Sequence, residues 1–322
     1  MTLSPALDTG PELTAPDGAA PDAPASDLRV LEAGEWRALE QAHAERADEL
    51  TRVWREHRER HEPHAVEDFL FTYYSVKPSV LRRWHPGPGI ALADAAETTH
   101  AGRRWHRALA DGSVALDAAA FLADRGSTVA FIEGLAGRVL DRRPSFGCFG
   151  LHEWAMVYRQ DEHRHPIPLR LGQAGTDEVV EANRIVCTHF DAYRFFTPEA
   201  APLNTLRPTR EAAPELEQAG CLHANMDLYK WATKLGPAVP GELVLDAFAL
   251  AREIRWTDMQ ASPYDVSRFG VPAIRIETPE GKAEYAALQR GYAERAQAIR
   301  GRLVEAIREL RAAAERQAIA AA

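Results

Sequence analysis

The run TPEGKAEYAALQRGYAERAQAIRGRLVEAIREL, Thr278 to Leu310, decides the fold class. Thr278 is placed to cap a helix and Pro279 to open it, since a proline at the first helical position has no N–H bond to lose. Beyond them Tyr285, Leu288, Tyr292, Ile299, Leu303, Ile307 and Leu310 recur at near-heptad spacing. The spacing predicts one long helix over 279–319 that lays an apolar seam on the body of the chain or on a second copy in a homodimer.

The same apolar period recurs elsewhere in the chain. Leu116 to Leu140, Cys221 to Lys234 and Gly241 to Asp258 each carry an apolar face at helical spacing. Trp36, Leu39, His43, Leu50, Trp54, His57 and His61 mark a long amphipathic helix from Val30 to His61, closed by Pro63. Val66 to Val76 reads as a buried helix, and Thr176 to Val186 as a short one with Thr176 as N-cap. Three segments read as extended, near 167–171, 186–196 and 271–276, the last bearing Pro272 and so suited to a sheet edge. The expected fold is mainly α with a small β-sheet (α+β), a single helical domain over 29–322 with long amphipathic N- and C-terminal helices. Residues 1–28 hold five prolines among Ala, Asp and Gly, and are expected to be a disordered acidic tail.

Bulk properties limit the partners. The hydrophobic content of 46% supplies a real core, and no apolar run approaches the length that spans a membrane. With no secretory signal in view, a cytoplasmic location is expected. The net charge is −9, of which Asp8, Glu12, Asp17, Asp22 and Asp27 supply −5, so the body lacks an overall basic footprint and DNA would have to meet a local patch. Cys148, Cys187 and Cys221 are odd in number and lack zinc-finger spacing, which argues against a disulfide framework.

Three stretches mix the residue types that chemistry needs. The first, FGCFGLHEWAMVYRQDEHRHPIPLR (Phe146 to Arg170), opens at Gly147 and Gly150 and continues as a helix from Leu151 to Arg159. Leu151, Trp154 and Tyr158 share one face of that helix. The second is VCTHFDAYRFF (Val186 to Phe196) and the third CLHANMDLYKWATK (Cys221 to Lys234), whose His223, Asp227, Lys230 and Lys234 form a polar helical stripe. One cysteine lies in each, and the three are expected to face one cleft. His152, Glu153, His189, Asp191, His223 and Asp227 are the types used for proton transfer. A divalent metal is the alternative use, with His163, His165, His189, Asp191 and His223 as candidate ligands, although no H-E-x-x-H pattern is present. Lys230 with Asp227 suits Schiff-base or oxocarbenium chemistry at a sugar carbon, and an ordinary intrahelical ion pair suits the same spacing. Tyr73, Tyr74, Trp154, Tyr158, Tyr193, Tyr229 and Trp231 are the aromatic groups available to hold a substrate. Outside these stretches, His57, His61 and His64 can be read as a metal-gripping set or as a solvated helix end. The tetrapeptide RRWH occurs twice, at Arg82 to His85 and Arg103 to His106, as a base-stacking surface or a plain cap.

Over Leu31 to Arg300 the three stretches resemble a family of actinobacterial proteins commonly labelled 3-methyladenine DNA glycosylase. The resemblance implies a DNA-repair hydrolase that excises alkylated purines, with DNA as partner. The residues alone leave open a metal- or His/carboxylate-dependent enzyme for a small molecule, and a helical binding protein without chemistry.

Overall fold

The computed structural model describes residues 28–163 and 165–320, so the expected tail, apart from Leu28, lies outside the described residues. Among the described residues, twelve α-helices and four short strands follow in the order β1 (Arg29–Leu31), α1 (Ala33–Leu50), α2 (Arg52–Glu59), α3 (Asp68–Tyr73), α4 (Pro78–Leu81), β2 (Ile90–Leu92), β3 (His106–Ala108), β4 (Val114–Leu116) and α5 (Ala118–Asp141). The second half is α6 (Leu151–Ala155), α7 (Gly172–Glu181), α8 (Phe190–Tyr193), α9 (Ala213–Leu216), α10 (Leu222–Leu235), α11 (Gly241–Ala261) and α12 (Pro279–Ala320). The fold is thus mainly α with a small β-sheet, and no helix among the described residues is long and apolar enough to cross a membrane.

The long helix starts where Thr278 and Pro279 place it, with the Thr278 hydroxyl accepting from Gly281 N at 3.1 Å. Its seam of Tyr285, Tyr292, Ile299, Leu303, Ile307 and Leu310 is buried, whereas Leu288 stays open. The cover comes from the same chain: α12 lies along α5 and also against α10 and α11, while α10 packs along α11. Burying each large aliphatic of this seam contributes about 1.5–3 kcal/mol.

The strands are elsewhere than the alternation suggested. The sheet runs β1-β2-β4-β3, with β1 parallel to β2 and the other pairs antiparallel, and Val30 opposes Ala91 while Ala91 opposes Ala115. None of the three expected strands joins it. Residues 167–171 make a single bridge, Leu169 to Tyr264, because Pro166 and Pro168 remove two donors from the ladder. Near 186–196 only Ile185 bridges, to Asn204, and the chain then coils into α8, where Tyr193 N donates to His189 O at 3.0 Å. Residues 271–276 tie to α11 by the Ile274 N to Gln260 O bond, 2.8 Å, and form no strand.

Three helix boundaries also move. The expected Val30–His61 helix is split at Thr51, whose hydroxyl donates to Ala47 O at 2.8 Å, the back-bonding by which threonine loosens a helix; its first residues join the sheet as β1. Helix α7 starts at Gly172, and Thr176 sits inside it, buried, with its hydroxyl donating to Gly172 O at 2.7 Å, so it is no N-cap. Helix α6 ends at Ala155, and the chain turns until Arg159, which adopts a positive φ of 53° and donates its N–H to Asp177.

Candidate functional site

The three chemical stretches do meet. Helix α6 enters from Gly150, a left-handed residue (φ 72°) whose Cβ would press on Ala261 at 3.3 Å and on Tyr285, so glycine lets α6 dock against α11 and α12. That docking buries His152 and Glu153 as well as the apolar face of α6. Their partners come from α11, two residues absent from the sequence-based set. His152 Nε2 lies 2.9 Å from Asp258 Oδ1, Arg255 donates to Glu153 at 2.9 Å and to Asp258 Oδ2 at 3.1 Å, and Asp258 is fully buried. Burial disfavours charge on His152, but the Asp258 carboxylate beside it wins and holds the imidazole protonated well above its ordinary range. The same contact draws the Asp258 carboxyl down against its own burial. Glu153 is raised by burial, with Arg255 opposing.

A second group is built by α8 and α10. Asp227 accepts from Tyr74 Oη at 2.8 Å and from Lys230 Nζ at 3.1 Å, and Lys230 reaches Asp191 at 3.2 Å. Burial works against the Lys230 charge, yet Asp227 and Asp191 together raise it above its usual value, so the amine is a cation here and no ready Schiff-base nucleophile. His189 Nε2 is 3.9 Å from Asp227 Oδ2. Its Nδ1 approaches Glu217 Oε1 to 3.2 Å but off the direction a ring N–H bond requires, and it has no hydrogen-bond partner. Glu217 and Asp227 together still raise His189 against its burial.

His223 joins the two groups. Its ring meets His152 edge-on with centroids 4.5 Å apart and stacks on His189 at 5.5 Å. Burial, and then the charge of His152, push His223 well below its ordinary value. Three buried imidazoles therefore stand in a row, the middle one pushed toward its neutral form and the outer two toward their protonated forms.

The small cavity at this junction is lined by Cys148, Cys187 and Cys221 together with His152, His223, Gln218, Gln289 and Tyr285, so the three cysteines, one from each stretch, converge. Cys148 Sγ is 3.6 Å from His152 Nδ1. The ligand atoms of His152, Glu153, His223 and Asp258 fall within 4.8 Å of one another, as do those of His189, Asp191 and Asp227, so either set has the spacing of a metal site. In the first set Arg255 already bridges the two carboxylates, and in the second Lys230 does. Cations of the chain itself thus supply the balancing charge.

Other sequence candidates lie apart. His163 bonds Gln160 O and the Gln173 side chain, both at 3.1 Å, while His165 touches the centre through Arg255 at 3.2 Å. His64 Nδ1 accepts from Val66 and Glu67 N–H groups, which takes it out of any metal-gripping set with His57 and His61. Trp154 is core, donating to Ala261 O; Tyr158 bonds Glu181; Tyr193 packs on Phe196; and Tyr229 is buried against Tyr74 and Phe248. Tyr73, Tyr74 and Trp231 do border the Asp191–Lys230–Asp227 group, Tyr73 stacked on Phe69 and Trp231 beneath the Lys230 ammonium at 4.5 Å. The two RRWH copies also meet, with Arg83, His85, Arg103, Trp105 and His106 lining a separate cavity of about 140 Å³. Glu217, Gln218, Arg255, Asp258 and Gln289 carry no local motif: the link between α9 and α10 supplies the first two, and the docking of α11 and α12 beside α6 and α10 brings in the other three. No family model, no curated protein and no solved structure matches this chain.

Proposed function

We propose that the protein is an enzyme that transforms a small molecule by proton transfer through its buried histidines and carboxylates, with His223 as general base. The observation that carries this is the row of three buried imidazoles, His223 packed between His152 and His189, with His223 at the wall of a cavity. A base must be unprotonated at working pH and within reach of the substrate, and the Asp258 carboxylate nearby favours the proton that His223 takes up. A cytoplasmic setting suits the three free thiols. The test is turnover of a panel of small amides, esters and N-glycosides by protein dialysed against a chelator. Turnover is expected to survive chelation, and His223→Gln to lower kcat by about 10²–10⁴-fold. No turnover anywhere in the panel, or turnover lost on chelation and restored by zinc, overturns the reading.

A second reading, excision of an alkylated purine, rests on the family resemblance and on Tyr73, Tyr74 and Trp231 beside Asp191, Asp227 and Lys230. A carboxylate there would steady the developing sugar cation, and the rings would stack on the extruded base. It is checked on a duplex carrying 3-methyladenine or 7-methylguanine. Asp227→Asn should lower excision far more than DNA binding, and wild-type protein that releases no base removes the reading.

A further inference from the structure

The acid–base centre holds one group that proton transfer alone leaves unused. Cys148 precedes α6, is half-buried, and points its Sγ at His152 Nδ1 across 3.6 Å, a length normal for a sulfur hydrogen bond. The opposite nitrogen of that ring is fixed by Asp258 at 2.9 Å. A thiol, an imidazole and an orienting carboxylate in this sequence of contacts is the arrangement that activates a nucleophile. Cys187 and Cys221 share the cavity but lack it: both are buried, and burial raises both thiols far above their ordinary value. The flanking residues Ser145 to Phe149 are exposed or half-buried, and Cys148, itself half-buried, borders the cavity.

Two glutamines define what that small space accepts. Gln218 Oε1 takes the N–H groups of Ser145 and Gly220 at 2.8 and 2.7 Å, which commits its oxygen and leaves the amide NH₂ as a donor. Gln289 is the reverse case, since its Nε2 donates to Gly220 O at 2.5 Å and its Oε1, buried on a residue only 1% exposed, has no partner. A flip would set Gln289 oxygen against the Gly220 carbonyl, so the orientation is determined. One donor for a carbonyl oxygen and one unmet acceptor for an N–H are the complement of a carboxamide.

We propose that Cys148 is the nucleophile of a small-amide acyl transfer, activated by His152 through Asp258, with Gln218 and Gln289 recognising the carboxamide. The Cys148 thiolate, paired with the His152 imidazolium, attacks the carbonyl carbon, and the C–N bond breaks as His152 gives its proton to the departing nitrogen. Ammonia leaves and a thioester remains on Cys148. Water then attacks that thioester, the now neutral His152 taking its proton, and the C–S bond breaks to release the carboxylic acid and restore the thiolate–imidazolium pair. The proposal rests on the acid–base reading of the same centre, but its first readout concerns Cys148 alone and needs no turnover.

The test is site-resolved alkylation of the folded protein by iodoacetamide at pH 7, followed by peptide mass spectrometry, together with acetylation by p-nitrophenyl acetate. Cys148 is expected to react at least tenfold faster than glutathione and to carry the acetyl group, with Cys187 and Cys221 unmodified. His152→Gln should remove that advantage, and Gln289→Leu should raise KM for acetamide, read by ammonia release, with no loss in the alkylation rate. Cys148 reacting no faster than glutathione, an acetyl group on any other residue, or Cys148→Ala releasing ammonia at the wild-type rate overturns the proposal. Alkylation and acetylation of wild-type protein decide the matter even where a variant fails to fold. A normal Cys148 with His223-dependent turnover elsewhere in the panel would sink this proposal and spare the acid–base reading.

Discussion

His85 shows at the scale of one residue how burial sets the acid limit of this fold. It ends the first RRWH copy, is buried, and is pushed down to a pKa of about 3 chiefly by that burial. Its folded form is neutral, whereas the unfolded chain binds a proton below about pH 6.5. The stability it allows is therefore complete above that pH and lost progressively as pH falls from about 6.5 toward 3, amounting to about 2 kcal/mol at pH 5. His152 and His189 act in the opposite sense, because their raised folded values give stability that is full below about pH 6.5 and declines as pH rises through those values. His85→Gln is expected to lose less stability than wild type between pH 7 and pH 5, measured as the shift in urea midpoint. Equal shifts in the two proteins would show that His85 does not titrate as its burial implies.

Helix α12 is where element-scale packing is most exacting. At its N-terminus Gly281 passes so close to the preceding segment that a Cβ would stand 2.0 Å from the Arg275 carbonyl oxygen, a backbone atom that cannot swing aside. Gly291, farther along the same helix, has nothing within 4 Å of where its Cβ would be. Gly281→Ala should therefore destabilise by about 3 kcal/mol through overpacking, and Gly291→Ala should stabilise by about 0.5–1 kcal/mol by lowering the entropy of the unfolded chain. Thermal unfolding of the two variants separates the effects, and a neutral Gly281→Ala would mean that the crossing can relax. Helical spacing alone could not tell these glycines apart, since the difference lies in what the preceding loop does.

Across the whole molecule, the buried polar centre fastens separate parts of the chain to one another. Arg255 on α11 holds Glu153 on α6 and Asp258 one turn further on, while Arg300 on α12, held down to a pKa of about 10 by burial, reaches Asn225 on α10 at 3.0 Å. Ion pairs such as those of Arg255 are costly to break because the abandoned charge stays in low dielectric. Arg255→Gln is expected to destabilise by about 3–5 kcal/mol, read by urea unfolding followed by circular dichroism. A loss below about 1 kcal/mol would mean that water or a proton on Glu153 replaces the guanidinium with little penalty.

The sequence by itself determined the helices, because a 3.6-residue apolar period is a local signal that packing then confirms: α5, α10, α11 and α12 lie close to where the pattern puts them. It also determined that the three mixed stretches belong together, through residue types that packing rarely uses in such density. Strands were decided only in three dimensions, since a strand of three residues carries no pattern of its own, and the alternation in VCTHFDAYRFF is equally served by the one-turn helix α8. The partners of the site were decided there too. Nothing local distinguishes Asp258 from other carboxylates on an amphipathic helix, or Gln289 from other polar residues of α12. Their roles come from the docking of α11 and α12 on α6 and α10, where burial removes water and leaves each polar atom to be satisfied by whatever the fold has placed beside it.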